Sequence, residues 1–426
     1  MNKCFLYRVL TIGLGLLFSG CGFSPDQIDP GKITSINIID HNGMSETVNS
    51  QDRLNAFGNT NFLAPQPYQK VLRMFGREKN GDIRSCITSY YPNGQVKQYL
   101  EAINNRAFGI YREWYPNGNS KIDALIIGGV ADINTQAEQS WLFDGVNRAW
   151  NDDGKLIAEI QYIKGELQGD SIYYHPNGQI WKICPYDKNK LQGAFKTFLE
   201  NGLLLQMVEY KGGEKDGIAI RYWDSSQIAY QETYKNKLLI EGGYYDSHGE
   251  LVSTIQGGKG YRAIFGKKEL HELQEYQNGI QEGLVKIFDE GRNLISIYSV
   301  KNGEKHGEEI DYYSMGSPTL PKLLLMWHEG VLQGPVKTWY DNGQLESQRD
   351  MSENQKHGLL TAWYRNGALM LVEEYDCDKL LKGEYYRMGE KRAISQIEKG
   401  KGIATLFNPE GNFAKKIYYQ DGKPVD

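Results

Sequence analysis

The sequence predicts an all-β protein, an elongated array of antiparallel β-hairpin repeats of about 24 residues each. Three observations carry this expectation. There are 48 Gly and 29 Tyr against 14 Phe and 13 Pro in 426 residues, a balance that suits short strands joined by tight turns. One spacing of glycine and aromatic residues recurs along the chain. A turn sequence ending in Asn-Gly recurs with it.

The spacing is Gly, four residues, an aromatic, three residues, Gly. It occurs at Gly109/Trp114/Gly118, Gly145/Trp150/Gly154, Gly169/Tyr174/Gly178, Gly193/Phe198/Gly202, Gly307/Tyr312/Gly316, Gly334/Trp339/Gly343, Gly358/Trp363/Gly367 and Gly402/Phe407/Gly411. Fewer than about one match would arise by chance at this composition. Three further repeats carry one substitution each. Ser85 stands for the first glycine before Tyr90 and Gly94, Ser226 for the last after Tyr222, and Arg292 for the last after Phe288. Two repeats are shortened, at Gly242 to Gly249 and Gly383 to Gly389. The array spans residues 70–426, with its weakest matches between 227 and 282.

Each repeat has a physical reading. Between Gly169 and Gly193, Asp170 to Tyr174 have strand composition and His175-Pro176-Asn177-Gly178 form a turn. Proline presets a type I turn, asparagine tolerates its next position, and glycine takes the left-handed conformation that follows. Gln179 to Tyr186 return as the second strand, and Asp187 to Gln192 form a polar link to the next repeat. Gly94, Gly118, Gly154, Gly178, Gly202, Gly316, Gly343, Gly367 and Gly411 are the expected turn glycines. Tyr90, Trp114, Trp150, Tyr174, Phe198, Tyr222, Phe288, Tyr312, Trp339, Trp363 and Phe407 are the expected core aromatics. A second row, Tyr162, Tyr186, Tyr210, Tyr375 and Tyr419, lies eight places after a turn glycine. Stacked repeats would align these rings, each neighbouring pair contributing roughly 0.2–1 kcal/mol. A competing use of aromatics, a glycan- or peptide-binding stripe, would fall on Tyr115, Trp223, Tyr313, Tyr340 and Tyr364.

These motifs resemble the bacterial variant of the MORN repeat, found in YwqK-type antitoxins. Gly334 to Leu345 (GPVKTWYDNGQL), Gly358 to Leu369 and Gly303 to Gly307 (GEKHG) carry the resemblance. It implies the extended hairpin array. It implies little about function, because this repeat is a scaffold used in many contexts.

The N-terminus reads differently. Lys3 and Arg8 precede an apolar stretch, Val9 to Phe18, with the length of a signal-peptide h-region. Ser19, Gly20 and Cys21 follow, and the run resembles a bacterial lipobox, with Phe18 where Leu is usual. That resemblance implies a signal peptide over residues 1–20, cleavage before Cys21 and acylation of its sulfur. Two or three acyl chains hold a protein at a membrane stably. Gly22, in place of a retaining Asp, favours the outer membrane in a cell that has one. Residues 21–69 read as a tether followed by a hairpin over Ile33 to Val48 that caps the array.

Net charge is -5, and no basic block follows residue 8, which argues against a nucleic-acid partner. Cys86, Cys184 and Cys377 lie about four repeats or more apart, beyond the ~7 Å Cα reach of a disulfide, and are expected to be free thiols of small, partly buried hydrophobic character. None of the seven histidines shares a zinc-like spacing with Cys, Asp or Glu, and His306 and His357 fall in links. No GxSxG, P-loop or HExxH sequence occurs. No cofactor, metal or catalytic residue is therefore expected. The function expected is a membrane-anchored, non-catalytic scaffold for an envelope protein or the cell wall. The alternatives are a toxin-neutralising binder and an envelope enzyme acting on glycans.

Overall fold

The computed structural model describes residues 30–224, 226–314 and 320–425. Cys21, the signal segment and Gly316 lie outside them. The chain divides into two compact units, Met1–Gly178 and Gln179–Asp426.

The described parts of both units are built of antiparallel strands that pair with their chain neighbours. In the first unit, Tyr68–Arg77 pairs with Ile83–Tyr90, which pairs with Val96–Ile103, and so on through Leu142–Trp150 and Leu156–Ile163. The sheet starts inside the segment expected as tether and cap. Ile33–Asp40 lies between Ser45–Val48 and Tyr68–Arg77 and pairs with both. The helix Gln51–Phe57 buries Leu54 against this hairpin. The second unit repeats the same pairing from Gly193–Phe198 with Leu204–Lys211 to Phe413–Gln420 with Lys423–Val425.

Two kinds of turn alternate. At the Asn-Gly turns the hairpin closes with a glycine in the left-handed region: at Gly118, φ is +88°. The Tyr115 N–H donates to the Asn119 carbonyl at 2.8 Å, and the Gly118 N–H to that of Tyr115 at 2.9 Å. The asparagine side chain accepts from the amide two places on, as Asn342 does from Gln344 at 3.1 Å. Where glycine is replaced, the backbone keeps its shape: φ is +66° at Ser226 and +62° at Arg292. The links between repeats, expected as polar connections, are a second set of tight hairpins. Tyr186 pairs with Leu191 and Asp187 with Lys190. That leaves only Lys188 and Asn189 at the apex, with φ +48° and +65°, the type I′ turn that follows strand twist.

Most leading glycines sit at bulges, whereas Gly402 pairs in register with Ile397. At Gly217, φ is +113° and the register shifts between Val208 and Tyr210 on the facing strand. The bulge frees the Ile218 N–H, which donates to the Glu209 carboxylate at 2.8 Å. A Cβ on Gly217 would lie 2.9 Å from that of Glu209. Ile110 with Glu101 and Leu284 with Glu275 repeat the arrangement.

Of the expected core aromatics, Tyr90 is buried, and the other ten are half-exposed. A strand in a lone sheet is covered only by its neighbours, so dense packing needs extra cover. In the first unit, Trp141, which follows the helix Thr135–Glu138, closes over Leu100, Tyr111 and Ile126. In the second, the densest clusters lie in the shortened repeats, around Leu239, Tyr244 and Ile255 and around Leu380, Tyr385 and Ile397.

Candidate functional site

The aromatic residues beside the template aromatics could have lined a binding stripe. The structure places them otherwise. Each reaches one repeat forward and donates to a main-chain carbonyl. The hydroxyls of Tyr91, Tyr115, Tyr313 and Tyr340 donate to the carbonyls of Trp114, Trp150, Trp339 and Trp363 at 2.8, 3.0, 2.6 and 2.9 Å. Tyr364 donates to Tyr386 at 2.7 Å, and the Trp223 ring N–H to Asp246 at 3.0 Å. Trp223, Tyr340 and Tyr364 are buried. Burial pushes the Tyr340 hydroxyl up to about 12, so it remains a donor at neutral pH. This row clips one repeat to the next, each bond contributing about 1 kcal/mol net.

Carboxylates inside the sheet have the same character. Glu232 is 1% exposed. It accepts from the Tyr234 and Tyr244 hydroxyls, each at 2.9 Å, and from the Arg262 Nε at 2.6 Å. Arg262 lies three strands further along the chain. The short strand Leu251–Gln256 turns the sheet back on itself. Gly258 then donates to Ile240, Gly279 to Gly258 and Leu239 to Gly279, at 2.8, 2.9 and 3.0 Å. Glu373 accepts from Tyr375 at 2.9 Å and Tyr385 at 2.7 Å. These groups have the composition of an acid–base site, yet their bonding capacity is taken up inside the sheet.

Two exposed features remain. In the first unit, Phe108, Leu142 and Ile163 are 46%, 48% and 50% exposed. With Ile127 and Tyr162 they line a shallow groove of about 740 Å³, with Asp144 and Lys164 at its rim. In the second unit, His357, Asp376 and Cys377 bring one nitrogen, one oxygen and one sulfur within 4.8 Å of one another. Sequence spacing gave no sign of this group. The usable signal is register: Gly358 faces Tyr375, so His357 faces Asp376, and Cys377 opens the link turn that follows. Cys86 and Cys184 are buried, Cys377 is exposed, and none forms a disulfide. Cys377 thus departs from the expected hydrophobic role. Burial pushes the Cys86 thiol up to about 11, which keeps it protonated and unreactive.

A family model described as MORN repeat variant matches residues 86–104, 167–188, 215–236 and 332–351. The chain carries MORN repeats. Each matched stretch includes strand residues, a tight turn and one template aromatic, Tyr90, Tyr174, Tyr222 and Trp339 in turn. No curated protein matches the chain. Among solved structures, it is similar to the crystal structure of TcdB2-TccC3-TEV at 12% identity and a TM-score of 0.14, over 92% of this chain and 22% of that one. The structure of TcdB2-TccC3 without its hypervariable C-terminal region gives 10% and 0.16, over 83% and 24%. The Photorhabdus luminescens Tc holotoxin pore carrying the TccC3 D651A mutation gives 10% and 0.14, over 92% and 24%. This chain spans less than a quarter of each, and a likeness at these TM-scores says nothing further about it.

Proposed function

We propose that this protein is a non-catalytic MORN-repeat scaffold, exported and held to a membrane through acylated Cys21, which presents its repeats to a protein of the cell envelope. The observation that carries this reading is how the polar side chains are used. The tyrosine hydroxyls and buried carboxylates that could do chemistry bond to the sheet itself, whereas Phe108, Leu142 and Ile163 stay exposed. Contiguous exposed apolar side chains with a polar rim are a common feature of protein-binding surfaces.

In-cell crosslinking of the full chain tests the binding half. A discrete crosslinked protein is expected with the native chain. It should be lost in Leu142→Asp and kept in Leu359→Asp, whose native side chain is 55% exposed elsewhere. Recovery of the same abundant bystanders from all three would count against the scaffold. Metabolic labelling with a fatty-acid analogue tests the anchor: equal labelling of native and Cys21→Ser chains would remove it.

A further inference from the structure

We propose that His357, Asp376 and Cys377 form a binding site for a divalent transition-metal cation of the zinc type. Among the described residues, this is the one group of three or more potential metal-binding side chains close enough together to share an ion. The His357 Nδ1 lies 3.4 Å from the Asp376 Oδ1. Zinc bonds of about 2.0–2.2 Å to nitrogen and oxygen at a tetrahedral angle require a separation of about 3.4 Å. Those two donors already stand at the spacing a metal would impose. The sulfur needs to close by about 1.3 Å at most, within reach of a χ1 adjustment on an exposed side chain.

The backbone fixes the donors relative to each other. Asp376 pairs with Lys379 across the two-residue turn Cys377–Asp378, where φ is +46° and +65°. That turn is tied to the strand of His357 twice. The Asp378 N–H donates to the Lys356 carbonyl, and the Lys356 N–H to the Asp378 carboxylate, both at 2.9 Å. The first place of the other link turns holds residues such as Asn104, Lys164, Lys188, Asn236, Glu329 and Glu353. Cys377 is the exception, and it stands where a histidine and a carboxylate face each other.

The donor chemistry selects the ion. Thiolate and imidazole favour zinc, cobalt or copper over magnesium and calcium, which prefer all-oxygen cages. The carboxylates of Asp378 and Glu353 add negative charge nearby. Because all three donors are exposed, a fourth coordination position faces solvent and can take water or a group from a bound partner. The His306 and His328 rings occupy the corresponding cross-strand position two repeats earlier, with centroids 5.2 Å apart. Among the described residues, that pair has no thiol or carboxylate within the same reach, and it serves as an internal control.

Cobalt(II) titrated into the reduced full chain provides the probe, read by the sulfur-to-cobalt charge-transfer absorption. One equivalent is expected to bind and to be displaced by zinc. Cys377→Ser should abolish the absorption. His357→Ala and Asp376→Asn should weaken binding at least about tenfold, the lower end of the loss when even an outer-shell partner of a metal is removed. His328→Ala should change nothing. Because the mutated side chains are exposed, circular dichroism should show the fold retained. An absent absorption overturns the site, as does one that survives Cys377→Ser. An absorption insensitive to both His357→Ala and Asp376→Asn overturns the three-donor arrangement.

Discussion

Residues 228–279 and 369–422 follow one plan and differ at its centre. In both, a fully buried leucine, Leu239 or Leu380, sits beside a turn that folds back on it. The backbone bonds Leu239 to Gly279, Gly279 to Gly258 and Gly258 to Ile240 have counterparts in Leu380 to Gly422, Gly422 to Gly400 and Gly400 to Leu381. A carboxylate, Glu232 or Glu373, accepts from one tyrosine on its own strand and one on the next. Two residues past the glycine that pairs with Ile255 or Ile397, Gly260 in the first region and Gly402 in the second, stand Arg262 and Ala404. The tyrosine pair is therefore the constant part of the device. The two hydroxyls hold the carboxylate in position, and the cation is an addition to a site already assembled.

That comparison makes the cost of losing each carboxylate unequal. Glu232→Gln leaves the guanidinium of Arg262, whose side chain is only 20% exposed, without its anion. Breaking a buried ion pair this way costs about 3–5 kcal/mol. Glu373→Gln strands no cation and should cost about 1 kcal/mol, the difference of a hydrogen bond. Repeat arrays open locally rather than as one two-state body. The measurement is therefore hydrogen exchange at the amides around Ile255 and Ile397. Equal losses of protection in the two variants would break the comparison.

Arg262→Ala should fall between those values, at about 1.5–3 kcal/mol for a charged hydrogen bond. It converts the first region to the composition of the second, with the tyrosine pair intact. A loss as large as that from Glu232→Gln would show that the cation, and not the hydroxyl pair, organises the first region.

How far this was readable in advance depended on range. Tight turns are written in four or five adjacent residues, so Tyr340 to Gly343 and Tyr364 to Gly367 announce themselves. The link turns at Lys188–Asn189 and Glu353–Asn354 use left-handed residues other than glycine and looked like loops. The shortened repeats at Gly242 and Gly383 stood out as irregularities, but their content did not. Glu232 and Arg262 are 30 residues apart, and only the folding back of the sheet brings them together. The residues beside the template aromatics share one spacing along the chain. Their use depended on where each hydroxyl points, which spacing does not encode. His357 sits in a link, and its facing residue follows from register, which becomes available only once the link is known to be a two-residue hairpin.

The smallest effect expected is on alkaline stability. Burial first, and the neighbouring carboxylate second, push the hydroxyls of Tyr234, Tyr244, Tyr375 and Tyr385 well above their ordinary value. In the unfolded chain these groups ionise near pH ~10. In the folded chain they keep their protons. Above pH ~10 the folded state therefore binds more protons than the unfolded state, and stability falls as pH rises; below it, the contribution is fully present. Arg262 opposes the upward push on Tyr234 and Tyr244, whereas the second region has Ala404 at that place. The net upward push is nevertheless as large at Tyr234 and Tyr244 as at Tyr375 and Tyr385, so both regions should lose stability together above pH ~10. Arg262→Ala removes the opposing charge, so the stability of the first region should fall more steeply above pH ~10 and its unfolding-linked tyrosinate absorbance transition should move below that of the second. Stability that rises above pH ~10, or a transition unmoved by Arg262→Ala, would mean that the guanidinium does not reach these hydroxyls electrostatically and that the two regions differ only in packing.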